Sequence, residues 1–277
     1  VLSVLIAVYS VTRPGAMEGV KYFLVPNVKN FSWMTVVAAM GQMFYSLSIA
    51  MGILITFGSY MKKETSLEDS TRNVEVFDTA IAIMAGLMII PAVFSFSGGD
   101  PDTLQAGPAL MFITIPKVFE NMGFGTVVGI LFFLLVLFAA VTSSIALTES
   151  AVSTFEDELG WSRRRATVLV GVIMIALGSL SSLGYGPLVG IKIIGMQFLD
   201  FFDFLTNSVM MPIAAMLTSL FVSRIVGMKR MEEEIMHGES TFRRKKIFIV
   251  MIKYLCPVFA LIILISSVAN AFGWIAM

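Results

Sequence analysis

The 277 residues are 57% hydrophobic and 14% charged, a balance that leaves too little polar surface to coat a water-soluble globule and makes a lipid bilayer the expected solvent. Nineteen basic and 19 acidic side chains cancel, which excludes a nucleic-acid partner, since phosphates call for a concentrated excess of Lys and Arg. One Cys and one His can build neither a disulfide nor a Cys/His zinc centre within the chain.

The first apolar run, 1–11, would reach about 17 Å as a helix, short of a hydrocarbon core of roughly 30 Å, and is expected to be the stub of a severed helix. No initiator Met opens it, and Thr12, Arg13 and Pro14 stand where a signal peptide would place small residues for cleavage, so the chain reads as a fragment. Six apolar stretches long enough to span follow, at 33–60, 77–96, 124–146, 166–183, 194–222 and 247–272. The expected architecture is one partial transmembrane domain over 1–277. Thirteen of the 19 Lys and Arg fall in alternate linkers, at 61–73, 163–165 and 223–246; these are assigned to the cytoplasmic side, and the stub then ends outside. Linker 97–123, on the opposite side, is long and contains an apolar run, 107–116, too short to span. It is expected to be an extracellular lid folded as a re-entrant or capping helical hairpin.

Two spans carry polar groups where lipid would not tolerate them. In the first, Gln42, Ser46, Ser48 and Gly52 fall in mid-membrane. The serines either bond back to the preceding turn and bend an intact helix, or the helix breaks and its freed carbonyls meet protein, water or an ion. In the third, Thr142, Ser143 and Ser144 follow Ala139 and Ala140, a step that suits close helix packing or an alkali-cation site built from hydroxyls and carbonyls. Asp78, near the start of the second span, is an acid inside the membrane, and with no Lys or Arg at its depth in the first two spans it points to Na⁺ or a titrating proton. Glu149 lies seven residues, about 10 Å, beyond Thr142 on the same helix face; it lines an inner release path or simply marks the helix end. Asp200 and Asp203 sit at the outer end of the fifth span.

The runs GQMFYSLSIAMGILITFGSY at 41–60, AVTSSIAL at 140–147, FEDELGWSRR at 155–164 and DFFDFLTN at 200–207 together resemble the bacterial neurotransmitter:sodium symporter family, the LeuT-like amino acid transporters. The resemblance covers essentially the whole chain, from the end of the family's fifth helix through its eleventh, with the first four absent. It implies an all-α integral membrane protein with a partial LeuT-like fold and a discontinuous first full helix. By the same resemblance Tyr45 is the aromatic lid over the substrate, Ser46 an ion and substrate ligand, and Ser48, Met51, Ser143 and Leu147 belong to the substrate pocket. A first sodium site resembles Ser46 with Asp78, a second the Ala139 carbonyl with the Thr142 and Ser143 hydroxyls, and Asp203 is similar to the acidic half of an external gate. Ala50 departs from the glycine usual at its position. Gln42 and Ser46 match two ligands of the chloride found in some members, but Ala82 stands where the third, a serine, would be, and Asp78 brings a fixed charge instead, so no chloride is expected.

The function this resemblance implies, for the full-length parent, is symport of an amino acid or related small amine with Na⁺, two ions, by alternating access. The setting is a multi-pass protein of the cytoplasmic membrane; its partners are the substrate, sodium and lipid, with room for a homodimer. An enzyme is not expected, since the only His, His237, lies in the basic linker 223–246. The rival readings are a channel-like or non-transporting membrane protein and an inactive fragment.

Overall fold

The computed structural model describes residues 1–100, 107–120, 123–238 and 241–274, and among these the regular structure is helical apart from an isolated bridge between Ile193 and Met196. In chain order the helices are α1 (Leu2–Val11), α2 (Ala16–Leu24), α3 (Trp33–Ser46), α4 (Ile53–Ser59) and α5 (Leu67–Ser97). A helical segment α6 follows, from Gly107–Ala109 through Leu110–Thr114 to Ile115–Glu120. Then come α7 (Gly125–Leu159), α8 (Arg163–Leu183), α9 (Phe198–Ile235) and α10 (Lys245–Ala271). Five of these, α5 and α7 to α10, are long and apolar enough to cross a membrane. The stretch 33–60, which carries no charged residue, is divided between α3 and α4.

Helix bounds and apolar bounds differ for a simple reason. A helix does not stop where hydrophobicity stops if the residues beyond are good helix formers. α5 therefore begins ten residues before Phe77, with Glu68 and Asp69 in its first turn where the dipole favours them, and α7 continues thirteen residues past Ala146 to Leu159. Linker 223–246, read as a loop, contains the helical turn pair Met228–Ile235. Of the expected lid 97–123, residues 101–106 and 121–122 lie outside the described residues; 107–120 is helical.

Four stretches widen into π-helical turns: Leu110–Thr114, Phe204–Met210, Val222–Gly227 and Met251–Leu255. Three of them run up to a proline within two residues, Pro116, Pro212 and Pro257. A proline inside a helix donates no N–H and crowds the carbonyl four residues back, and a locally wider turn relieves both.

The chain divides into two compact units. One comprises Val1–Phe31 and Val74–Ser144, the other Ser32–Asn73 and Ile145–Met277, so α5 and α7 each contribute to both. In the first, Ile6 of α1, Val93 of α5, Ile115 and Val118 of α6 and Phe132 of α7 form the core. With lipid and not water as the solvent, this packing stabilises through van der Waals contact and not through the hydrophobic effect. Ser10, fully buried, donates its hydroxyl to the Met88 carbonyl at 2.7 Å, just ahead of Pro91 in α5. In the second, α9 packs along α10, and the buried Ser219 hydroxyl donates to the Ile252 carbonyl at 2.5 Å, within the widened turn before Pro257. α10 also lies against α3.

Candidate functional site

α3 begins with a capping box: the Ser32 hydroxyl accepts the Thr35 N–H at 3.4 Å and the Ser32 N–H donates to the Thr35 hydroxyl at 3.2 Å. It ends at Ser46, and the next six residues are not helical. Every second residue there is left-handed, with φ of 54° at Ser48, 63° at Ala50 and 81° at Gly52. The hydrogen-bond ladder loses its i−4 rhythm. The Ser48 N–H reaches the Tyr45 carbonyl and the Ile49 N–H the Phe44 carbonyl, both at 3.0 Å, before regular spacing resumes from Thr56 to Gly52 at 2.9 Å. A break of this kind leaves the last carbonyls of one helix and the first N–H groups of the next without intrahelical partners. Ser48 and Ala50 lack the freedom of glycine: a left-handed residue with a Cβ costs roughly 1–2 kcal/mol.

Gly52 is required twice over at the far edge of the break. Its φ suits glycine, and a Cβ placed on it would stand 2.6 Å from the Ser150 hydroxyl of α7. One turn on, the buried Thr56 hydroxyl lies 3.4 Å from those of Ser150 and Ser153. A further turn on, the Tyr60 hydroxyl donates to Glu149 Oε1 at 2.8 Å, and Arg163 of α8 grips the same carboxylate with both guanidinium nitrogens, at 3.2 and 2.5 Å, while also reaching Glu156 at 3.3 Å. Two parallel N–H bonds to one carboxylate fix geometry as well as charge.

The remaining expected site residues fall as follows. Tyr45, Ser46, Ser48, Met51, Leu147, Glu149 and Asp203 belong to the second unit, and Asp78, Ala139, Thr142 and Ser143 to the first. Tyr45 to Met51 are gathered by the break itself. Ala139, Thr142 and Ser143 occupy one face of the unbroken α7, all exposed, and the Thr142 hydroxyl donates to the Phe138 and Ala139 carbonyls at 3.0 Å each. Asp78 is half-buried on α5. Asp203 on α9 accepts a bond from the Asn207 amide at 2.5 Å, and Tyr185, in the turn after α8, has its phenol pushed up by partial burial and by the Asp200 carboxylate. Among the described residues no three His, Cys, Asp or Glu side chains converge on a metal position.

Sequence reasoning missed Thr56, Ser150, Ser153, Tyr60 and Arg163. Their signal was present as spacing: Thr56 and Tyr60 are four apart, and Glu149, Ser153 and Glu156 repeat at four and three, each set lining one helix face.

Residues 1–273 match the sequence profile of the Sodium:neurotransmitter symporter family. The chain belongs to this family. A Bacillus subtilis (strain 168) protein named "Uncharacterized sodium-dependent transporter YhdH" is 34% identical over 239 residues, covering 86% of this chain and 52% of that protein. A sodium-dependent transporter of Haemophilus influenzae is 33% identical over 259 residues, covering 93% and 55%. Among solved structures, MhsT in complex with L-phenylalanine superposes with a TM-score of 0.82 at 34% identity, over 96% of this chain and 59% of MhsT. The chain thus spans about half the length of the curated relatives it matches. The expected LeuT-like, all-helical membrane fold is the one observed, and membership places the chain among symporters and not enzymes.

Proposed function

We propose that the whole protein couples Na⁺ entry to uptake of an amino acid by alternating access across the cytoplasmic membrane, and that this chain supplies the broken helix on which substrate and ion meet. The α3–α4 break carries the reading. A membrane helix interrupted at Leu47–Gly52 presents backbone carbonyls beside the Ser46 and Ser48 hydroxyls, and such oxygens can replace the hydration shell of Na⁺ without a buried charge of their own. In transporters of the LeuT type, the ends of discontinuous helices are where substrate and coupling ions bind.

In this proposal Ser46 with Asp78 holds the first sodium and Ala139, Thr142 and Ser143 the second. Thr142 would turn its hydroxyl hydrogen away from the Ala139 carbonyl so that both oxygens face the ion. Tyr45 closes over the substrate, Ser48, Met51, Ser143 and Leu147 shape its pocket, Asp203 serves the external gate, and Glu149 latched by Arg163 and Tyr60 serves the internal one. Met51 is long and flexible, which suits large apolar or aromatic side chains, and a relative crystallised with L-phenylalanine supports that class.

The test is uptake of labelled L-phenylalanine by the whole protein in proteoliposomes. An inward Na⁺ gradient should drive accumulation, K⁺ should not, and gluconate in place of chloride should leave it unchanged. Equal uptake with either cation would contradict the coupling and favour a channel-like protein; loss in gluconate would show that Asp78 does not stand in for the anion.

A further inference from the structure

The stretch 223–246, from the last turns of α9 to the first of α10, carries a charge arrangement that transport leaves unused. Seven cations occupy 223–246 against glutamates at 232, 233, 234 and 239, and the two signs are segregated. The glutamates hold the middle of the stretch. The cations flank them, at Arg224, Lys229 and Arg230 where α9 leaves its span, and at 243–246 where α10 enters its own. All seven cations are exposed. Glu232 pairs with Lys245, but among the described residues no carboxylate lies within ion-pair distance of Arg224, Lys229, Arg230, Arg243 or Lys246. Of the three arginines after α7, Arg163 is taken by Glu149 and Glu156.

The basic run is also anchored. The Arg243 N–H donates to Glu68 Oε2 at 3.2 Å, and Phe242 packs edge-on against Phe248 of α10 with ring centres 5.5 Å apart. On the other side, Gly227 with φ 86° and ψ 138° breaks the axis of α9, so Lys229 and Arg230 leave the direction of the span at its end. Helix stability does not account for the cations at 243–246, since the start of a helix disfavours positive charge. Marking topology does not account for them either, because that needs cations in number, not segregated from acids.

We propose that 224–230 and 243–246 together form a docking surface for the phosphate headgroups of anionic phospholipids in the surrounding bilayer. Headgroup phosphates lie at the depth of helix ends, within the roughly 8 Å over which a surface charge is felt at physiological salt. Arg243 offers a fork that matches two phosphate oxygens, and Lys246 a mobile point charge beside it.

The experiment uses this chain in detergent micelles with phosphatidylglycerol or phosphatidylcholine added, and counts retained lipids by native mass spectrometry. Phosphatidylglycerol should be retained at least tenfold over phosphatidylcholine. Neutralising 243–246 with glutamine should abolish that preference, whereas neutralising Lys21, Lys29, Lys117 and Lys192 in the opposite linkers should leave it intact. Should the fourfold variant fail to fold, Arg243→Gln with Lys246→Gln, which leaves the Glu232–Lys245 pair in place, should still reduce the preference severalfold, and Arg243→Lys with Lys246→Arg should keep it. Equal retention of the two lipids, a preference that survives loss of both Arg243 and Lys246, equal loss in the control, or displacement by inorganic phosphate at constant ionic strength would overturn the proposal.

Discussion

The α3–α4 break and the middle of α7 both present hydroxyls where a membrane helix would ordinarily be apolar, yet they do so in opposite ways. At the break the backbone itself is opened, with Ser48 and Ala50 held left-handed despite their Cβ atoms. In α7 the ladder stays closed and Thr142 hands its hydrogen back to its own helix at 3.0 Å. The first arrangement stores conformational strain and depends on neighbours to keep its shape; the second leaves the fold unstrained, and under the proposed function its hydroxyl is freed for the ion. Substitutions should therefore report as stability at the break and as ion affinity in α7.

Gly52→Ala should have the largest effect, because it adds left-handed strain and drives a Cβ to 2.6 Å from the Ser150 hydroxyl: a loss of about 2–3 kcal/mol, read as unfolding of the chain in micelles. Gly41→Ala is its control. Gly41 lies inside α3 with nothing within 4 Å of the added Cβ, and alanine there should stabilise by up to about 1 kcal/mol. Equal effects at the two glycines would remove the distinction between break and helix.

Thr142→Val comes next. The half-saturating Na⁺ concentration for amino acid binding by the whole protein should rise about tenfold, equivalent to roughly 1.4 kcal/mol, while stability stays within about 0.5 kcal/mol. A large loss of stability would mean that the hydroxyl holds the fold. Ala50→Gly should act the other way, stabilising by about 1 kcal/mol through relief of φ 63°; a destabilised variant would show that the break is not strained there. Glu149→Gln removes one partner of the exposed Arg163 fork and weakens the Tyr60 contact. Turnover of the whole protein should change a few-fold with outward-facing binding unaltered, and a shift in binding alone would assign Glu149 to the pocket instead.

The residues of 42–52 left a bent helix and a broken one both open, and it was the family resemblance that chose the break; five of the apolar stretches coincide with helices long enough to span, because hydrophobicity over some twenty residues leaves few alternatives. Helix ends were not legible. Glu68 to Phe77 and Leu147 to Leu159 are polar enough to read as linker and are nonetheless helical, since composition reports the solvent and not the ladder. The widened turns of α9 and α10 could have been anticipated from Pro212 and Pro257. Thr56, Ser150 and Ser153 could not be joined from sequence, for their meeting links positions nearly a hundred residues apart.

The most direct test of the claim that ion and amino acid meet at the break is the Na⁺ dependence of L-phenylalanine binding by the whole protein, wild type against Ser46→Ala. No binding is expected when choline replaces Na⁺, and the variant should need at least tenfold more Na⁺ for half-saturation with its thermal stability retained. Binding that ignores Na⁺, or a variant whose Na⁺ requirement equals the wild type's, would contradict that claim.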